Sequence, residues 1–166
     1  MKKYVAIGLA LLVSLLIYLF YRTEKTVVTC FFIQLVSAEN YLLLKHSIVN
    51  AVPLNNMLIY SLPEGLWVLC ITLTSKNYDI NFGKWRLNCT FIPLIFCFTL
   101  ELLQLFHITN GRFDIVDIIF SVVFWLLANG FWNEKMERQN LLKSRNANAL
   151  ICLASYCIVY LAHVFN

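Results

Sequence analysis

Charged residues are scarce in this chain of 166 residues. Asp, Glu, Lys and Arg make up 13% of it and hydrophobic residues 60%, whereas an ordinary soluble domain has about 25% charged residues. This balance is not that of a soluble domain and predicts a polytopic membrane protein. The Lys and Arg residues lie in short segments between apolar runs, as orientation signals do. No basic patch is interleaved with aromatic residues, so nucleic-acid binding is not indicated.

Sequence motifs of common chemistry are also missing. None of the six cysteines forms a C-x-x-C pair, so neither a zinc site nor a disulfide framework has support, and we predict no metal and no cofactor. A P-loop, an H-E-x-x-H motif, a dinucleotide fingerprint and a nucleophile motif are all absent. These absences favour a binding protein over an enzyme. No internal repeat or soluble domain is visible, which predicts one membrane domain over residues 1–166.

Five apolar runs are predicted to be membrane-spanning helices, which makes the fold an all-α transmembrane bundle. Eighteen residues at a rise of ~1.5 Å give roughly 27 Å, close to the ~30 Å hydrocarbon core. The first run has no small-residue cleavage site, so we interpret it as a retained helix rather than a signal peptide. Pro93 is expected to kink the third helix. The five predicted spans are Tyr4 to Tyr21, Leu58 to Ser75, Cys89 to Ile108, Asp114 to Trp132, and Ala149 to Phe165.

The segment from Thr26 to Met57 is not predicted to span the membrane. Its two apolar patches, Val27 to Val36 and Tyr41 to Leu44, are too short to cross a bilayer and predict an interfacial or re-entrant helix. Asn50 to Asn56 contains a proline and predicts a turn. If the segment did cross, the orientation of everything after it would reverse.

Positive charge predicts the orientation, because cytoplasmic loops carry the excess of Lys and Arg. With the N-terminus inside, nine of these residues lie in inside segments and four lie outside. The four are Arg22, Lys25, Lys45 and Arg112. The preferred topology therefore has a cytoplasmic N-terminus and an external C-terminus.

This orientation brings most of the polar residues of the predicted spans to the outer side. They are Glu64, Glu101, Gln104, His107, Arg112, Asp114 and Asp117. An ionisable group inside a span is costly and is a functional-site hypothesis by default. Glu101 lies roughly 10 Å below Ile108 at ~1.5 Å per residue, which would place its carboxylate within the membrane.

Several of these residues also have a structural interpretation. Asp114 followed by Asp117 resembles an N-cap and an acid that complements the helix dipole. If the second helix begins around Leu62, Pro63 lies in its first turn and the dipole also favours Glu64. Glu101 has no such explanation, because it lies far from its own helix ends. Arg112 would then neutralise an acid or anchor at the headgroups, and His107 would be an interfacial residue.

The same residues carry a resemblance to a known family. Glu101-Leu-Leu-Gln104, followed by Gly111-Arg112-Phe113-Asp114-Ile-Val-Asp117, resembles the E-x-x-Q and R-x-x-D-x-x-D signatures of the VanZ-like family of small bacterial membrane proteins. The resemblance covers about residues 58–130. The chain departs from the family pattern by having Ser121, Phe124 and Ala128 where an Asn and glycines are common. The resemblance implies the bacterial inner membrane, and its namesake is associated with glycopeptide (teicoplanin) resistance.

Three functions agree with this pattern. In the first, Arg112 holds a phosphate or carboxylate of a polar lipid or peptidoglycan precursor, while Glu101 and Gln104 orient its hydroxyls or amides. In the second, the protein is a membrane-embedded enzyme with Glu101 or Asp117 as general base. In the third, the acids only lock helices together in a structural or transport protein. A transporter of this length without a repeat is expected to oligomerise.

Overall fold

The computed structural model describes residues 2–22, 27–82, 84–109, 111–131, 138–144 and 146–164. This part of the chain is mostly helical, as predicted, and contains a small sheet as well. Its helices are α1 (Lys2–Phe20), α2 (Val27–Val36), α3 (Ala38–Ala51), α4 (Asn56–Ser75), α5 (Ile92–Leu105), α6 (Ile115–Phe131) and α7 (Ala147–Val164). Its strands are β1 (Tyr78–Phe82), β2 (Trp85–Asn88) and β3 (Gln139–Asn140).

Each of the five predicted runs corresponds to one helix, with ends that agree within about three residues. Long apolar runs are the strongest helix signal in such a sequence, which explains the agreement. By length and composition, two helices of the described chain are long and apolar enough to cross a bilayer, over Lys3–Phe20 and Asn56–Ser75. The apolar helical stretches Cys89–Leu105, Ile115–Phe131 and Ala147–Ile158 are shorter.

Helix α4 is the centre of the bundle and packs against α1, α5, α6 and α7. Its closest partner is α6, because Gly65 leaves room for the ring of Phe124. A Cβ atom built on Gly65 would lie 2.4 Å from Cδ2 of Phe124, which no real contact allows. The bulky residue that departs from the family pattern on α6 is therefore accommodated by a glycine on α4.

Helix α4 begins earlier than predicted. It starts at Asn56, so Pro63 lies inside the helix rather than in its first turn. The predicted start near Leu62 is wrong, and with it the helix-dipole explanation of Glu64. Proline within a helix removes one backbone hydrogen bond. Because Pro63 is buried, the missing hydrogen bond lies inside the bundle.

Pro93 does not kink a helix. A short 3₁₀ turn, Cys89–Phe91, precedes α5, and Pro93 lies in the first turn of that helix. Proline is favoured there because its missing N–H would have no helical partner. The side chain of Asn88 accepts from the backbone N–H of Thr90 at 3.0 Å and so stabilises the turn.

The segment between α4 and α5 contains a β-hairpin that the sequence analysis did not predict. Strands β1 and β2 are antiparallel, with Ile80 opposite Leu87 and Phe82 opposite Trp85. Strand β3 adds to β1 in parallel, which gives the order β2-β1-β3. The alternation of apolar and polar residues from Tyr78 to Phe82 is a strand signal, but the charges of the segment obscured it.

The sheet lies at one end of the helical bundle, which we call the sheet end. Helix α7 is attached there through Tyr156, whose hydroxyl contacts Ser75 at 2.7 Å and donates to the carbonyl of Cys89 at 3.0 Å. The start of α1 is at the same end, because the Tyr4 hydroxyl donates to Asn148 at 2.7 Å. The opposite end, where α1 and α5 end and α4 and α6 begin, is called the far end.

Helices α2 and α3 form an excursion that leaves from the far end and returns to it. Tyr41 of α3 packs between Phe20 and Phe32 and donates to the carbonyl of Leu19 at 2.7 Å. After the excursion, the carbonyl of Tyr60 accepts from Nη2 of Arg22 at 3.0 Å. The two helices have 10 and 14 residues, and the interfacial or re-entrant position of this segment stays a prediction.

Candidate functional site

Glu101 lies at the far end and caps the helix that follows its own. It is 4% exposed, and its Oε2 accepts from the backbone N–H of Asp114 at 2.9 Å. The expectation that no capping interaction reaches Glu101 is therefore wrong. The carboxylate is distant from the ends of α5 but adjacent to the start of α6, because the chain reverses direction between the two helices.

Asp114 is the N-cap of α6, as its structural interpretation predicted. Its Oδ1 accepts from the backbone N–H of Val116 at 2.9 Å. In a capping box, the acid three residues after the N-cap accepts from the N-cap backbone N–H. Here Glu101 accepts that hydrogen bond instead. Asp117, at the capping-box position, is left to interact elsewhere.

His107 terminates α5 and has a structural role. Its φ of 56° is left-handed, and its N–H donates to the carbonyl of Gln104 at 3.0 Å. The N–H of Ile108 donates to the carbonyl of Leu103 at 2.9 Å. These two bonds form a Schellman motif, a common helix C-terminus.

Gln104 packs against the glycine of the motif that follows. Gly111 has a φ of 127°, and a Cβ built on it would lie 2.7 Å from Nε2 of Gln104. The half-buried amide of Gln104 thus lies against backbone that only glycine adopts readily. The E-x-x-Q and G-R motifs meet directly at this point, and both residues of the pair shape the turn.

A buried polar contact continues from Glu101 into the bundle. The Cys97 thiol of α5 donates to Oγ of Ser121 on α6 at 3.0 Å, and both residues are at most 1% exposed. Glu64 of α4 interacts with Cys97 and lies near Glu101. Glu64, Cys97 and Ser121 therefore extend the polar cluster from Glu101 into the bundle.

Asp117 interacts with Ser61 of α4, which is 1% exposed. Its other oxygen, Oδ1, is buried and has no hydrogen-bond partner within the described chain. Arg22 lies near enough for its charge to stabilise that of Asp117. Asp117 therefore has a cation, Arg22, among its neighbours.

Arg22 is a site residue that the sequence analysis missed. Its guanidinium lies 4.3 Å from the ring centre of Tyr18 and 5.6 Å from that of Tyr60, an arrangement that stabilises a cation. Its Nε is buried and has no partner in the described chain. The sequence placed Arg22 in a loop after the first helix, and only the tertiary fold brings it beside Asp117.

Arg112 lies on the connection between α5 and α6, two residues before Asp114, and is exposed. It forms no ion pair with any acid that the structure describes. The structure therefore brings five of the predicted site residues, Glu64, Glu101, Gln104, Asp114 and Asp117, to one end of the bundle, with Arg112 at its surface. No group of three metal-ligating side chains occurs among the described residues.

The sheet end holds a second buried acid, which the sequence analysis did not single out. Asp79 is 1% exposed. Its Oδ2 accepts from Nε of Arg86 at 2.6 Å, and its Oδ1 lies 3.7 Å from Nη1 of Arg138. Nearby, burial raises the pKa of Tyr78, whose hydroxyl donates to Asn146 at 2.9 Å.

Comparison with protein-family models, with curated proteins and with solved structures found no match for this chain. The resemblance to the VanZ-like family therefore rests on the motif residues alone and stays a prediction.

Proposed function

We propose that this chain is a polytopic membrane protein whose far-end site binds the polar headgroup of a lipid or of a cell-envelope precursor. The observation that carries the proposal is a polar cluster enclosed by helices whose outer surfaces are apolar. Within the cluster, Arg22 Nε and Asp117 Oδ1 are buried without a partner in the described chain. A ligand with both an acidic group and a hydroxyl, amide or ammonium group would satisfy both atoms.

The outer surfaces of the helices support the membrane location. Large apolar side chains are exposed along several helices, including Leu9 and Leu12 on α1, Ile95 and Leu102 on α5, and Ile119 and Leu126 on α6. Polar side chains such as Ser61, Thr72, Glu101 and Ser121 are buried. Soluble monomers rarely expose contiguous apolar patches larger than a few hundred Å², whereas lipid covers such a surface.

Positive charge supports a cytoplasmic sheet end. The described cations there are Lys3, Lys76, Lys84, Arg86, Arg138 and Lys143, and those of the far end are Arg22, Lys45 and Arg112. An excess of Lys and Arg favours the cytoplasmic side. The proposed topology therefore has five spans, α1, α4, α5, α6 and α7, with the N-terminus in the cytoplasm and the far-end site outside.

Labelling of intact cells tests this orientation. Single cysteines replace Asn110 and Lys84 in a cysteine-free background and are treated with an impermeant maleimide. We expect the cysteine at 110 to react and the one at 84 to be protected. The reverse pattern would place the far-end site in the cytoplasm and would contradict an envelope ligand.

Binding to the purified protein tests the ligand. The probe is a lipid-linked peptidoglycan precursor, and the readout is its Kd in detergent. Loss of one hydrogen bond to a charged group costs about 1.5 to 3 kcal/mol, so Arg112→Ala should weaken binding by roughly ten- to 150-fold. Lys84→Ala removes the same charge at the opposite end and should leave the Kd unchanged. Equal binding by wild type and Arg112→Ala would refute the proposed ligand site.

The structure gives Glu101 a structural task, which favours a binding role for the site over the enzyme hypothesis. A general base must be free to take a proton from its substrate, but Oε2 of Glu101 already accepts from Asp114. If the protein were an enzyme, Asp117 would be the better candidate base. Turnover of an envelope precursor by wild type that is lost in Asp117→Asn would favour an enzyme over a binding protein.

Membership of the VanZ-like family is part of the proposal and rests on the paired motifs. It implies a bacterial inner-membrane location and an effect on teicoplanin susceptibility. Expression in a susceptible bacterium should raise the inhibitory concentration of teicoplanin for wild type and less for Arg112→Ala. An unchanged concentration with well-expressed wild type would remove the link to glycopeptide resistance but leave the membrane location untouched.

A further inference from the structure

The hairpin of β1 and β2 at the sheet end has two faces of different character. Side chains alternate between the two faces of a strand, and residues opposite each other on antiparallel strands share a face. Ile80 is opposite Leu87, and Trp85 lies two residues before Leu87, so these three apolar residues share one face. The other face carries the polar residues Asp79, Asn81, Arg86 and Asn88.

The apolar face changes from buried to exposed between the root of the hairpin and its tip. Tyr78 at the root is 4% exposed, Leu87 is 37% exposed, and Trp85 beside the turn is 82% exposed. Tyr78 belongs to a buried cluster with Ala149 of α7, and Ile80 packs against this cluster. The root of the face therefore covers the helices, whereas the described helices leave the tip uncovered.

The packing of the root gives the direction of the whole face. Because Ile80 faces the helices, Trp85 and Leu87 on the same side of the hairpin are also directed from the sheet toward the bundle. In the proposed topology the helices run from the sheet end into the bilayer. Beyond the edge of the bundle, the apolar tip therefore faces the cytoplasmic leaflet.

The charges of the hairpin are complementary to an anionic lipid surface. Lys84 and Arg86 flank Trp85 in sequence and are exposed. The acid of the hairpin, Asp79, is 1% exposed and lies 2.6 Å from Arg86, so the exposed charge at the tip is positive. Anionic lipids of the cytoplasmic leaflet attract such residues, and tryptophan is enriched at membrane interfaces because its ring is apolar and its N–H is polar.

We propose that the apolar face of this hairpin rests on the cytoplasmic leaflet, with the indole of Trp85 among the lipid headgroups and Lys84 beside the phosphates of anionic phospholipids. The hairpin is then an interfacial anchor between α4 and α5. The inference rests on the proposed membrane location and orientation but not on the proposed ligand at the far end.

Fluorescence quenching tests the position of Trp85. The full-length protein, which has four tryptophans, is reconstituted in phosphatidylcholine that is brominated near the headgroup end of its acyl chains. The part of the quenching that disappears in Trp85→Phe belongs to Trp85. We expect the brominated lipid to quench this part and acrylamide, added on both sides of the bilayer, to spare it. Quenching by acrylamide alone would place the tip in water, and quenching by neither would mean that protein, such as a second copy, covers it. Either result would overturn the inference.

A matched variant moves the indole to the polar face of the same hairpin. Asn81 is exposed and lies opposite Arg86, on the side directed away from the bundle. Asn81→Trp combined with Trp85→Phe should give fluorescence that acrylamide quenches and brominated lipid spares. Equal quenching by brominated lipid at the two positions would show that neither face is turned to the membrane and would overturn the inference.

A minor fraction of brominated phosphatidylglycerol in unbrominated phosphatidylcholine tests the charge. One cation near the surface should enrich anionic lipid roughly fivefold around the tip. The quenching of Trp85 should therefore equal that in a membrane with about five times as much brominated phosphatidylcholine. Lys84→Gln should lose the enrichment and Lys84→Arg should keep it. Equal enrichment in Lys84→Gln and wild type would overturn the assignment of Lys84.

Extraction with alkaline carbonate separates this inference from the proposed function. Release of the wild-type chain from the membrane would refute the membrane location, and both proposals would fail. A chain that resists extraction but has Trp85 in water would refute the interfacial hairpin and leave the proposed function standing.

Discussion

Two buried carboxylates, one at each end of the bundle, lie in different electrostatic surroundings. Asp79 at the sheet end faces Arg86 at 2.6 Å and Arg138 at 3.7 Å. Glu101 at the far end accepts from a backbone N–H at 2.9 Å and has three other acids as neighbours, Glu64, Asp114 and Asp117. Asp79 is therefore paired with two arginines, whereas Glu101 accepts one backbone hydrogen bond beside three other acids.

This difference separates a structural acid from a candidate binding site. Charges that are paired within the fold leave little for a ligand to add. Around Asp117 the described chain leaves one acceptor, Oδ1, and one donor, Arg22 Nε, without a hydrogen-bond partner; Oδ1 of Asp79 also lacks a hydrogen bond but faces Arg138 at 3.7 Å. Unsatisfied buried polar groups are costly. A ligand that forms hydrogen bonds with these two atoms at the far end would remove that cost.

The largest expected effect is at the sheet end. Asp79→Asn removes the charge between two arginines and should destabilise the protein by about 2 to 3 kcal/mol, somewhat less than a fully buried pair because both arginines are more than half exposed. Chemical unfolding in detergent measures it. Asp114→Asn, an exposed acid whose cap is retained, should change stability by less than about 0.5 kcal/mol. Similar effects of the two changes would mean that Asp79 is not structural.

At the far end, the hydrogen bond that Glu101 accepts should contribute more to stability than its negative charge. Glu101→Leu leaves the part-buried N–H of Asp114 without its acceptor and should cost about 2 kcal/mol. Glu101→Gln keeps an acceptor and should cost less than about 1 kcal/mol. The same unfolding assay compares the two. If Glu101→Gln is as damaging as Glu101→Leu, the negative charge itself holds the far end together.

Two glycines, one packed against a side chain and one open, test the helix packing with the same substitution. Gly65→Ala forces a methyl group against Phe124 and should destabilise by about 1 to 2 kcal/mol. Gly130→Ala, nearer the sheet end, meets nothing within 4 Å and should stabilise α6 by about 0.5 kcal/mol. Combining Gly65→Ala with Phe124→Leu should recover stability. A double variant no better than Gly65→Ala would place the clash elsewhere.

The smallest effect is expected at the end of α5. His107 has a left-handed φ, a conformation that costs a residue with a Cβ about 1 kcal/mol. His107→Gly should therefore raise the free energy of unfolding by about 0.5 to 1 kcal/mol without changing precursor binding. Weaker binding at unchanged stability would instead make His107 part of the ligand site.

The sequence predicted the helices well, and five of its candidate site residues lie together at the far end. Apolar runs located five helices within a few residues, because hydropathy alone defines such segments. The start of α4 was misplaced because Pro63 suggested a first turn, although a buried proline is tolerated inside a helix whose neighbours pack around it. The hairpin was missed because its alternating pattern is short and carries charge.

Three residues could not be assigned without the tertiary fold. Glu101 was expected to lack a structural partner, since local spacing does not reveal that α6 begins beside it. Arg22 was counted only as a loop charge, although it approaches Asp117 from the end of α1. Asp79 was not distinguished from other polar residues of its segment. For Glu101 and Arg22 the decisive partner is distant in sequence, and for Asp79 the partner Arg86 lies across a hairpin that was not predicted.

The excursion formed by α2 and α3 has a consequence for how the chain is divided into parts. Since the chain is back beside Arg22 by the time it reaches Tyr60, residues 27–51 behave as an insert with both attachment points at one end. Replacing them with a short linker would leave the direction of every later helix unchanged. The bundle and the excursion are thus separable modules, and only the bundle determines which way α4 to α7 run.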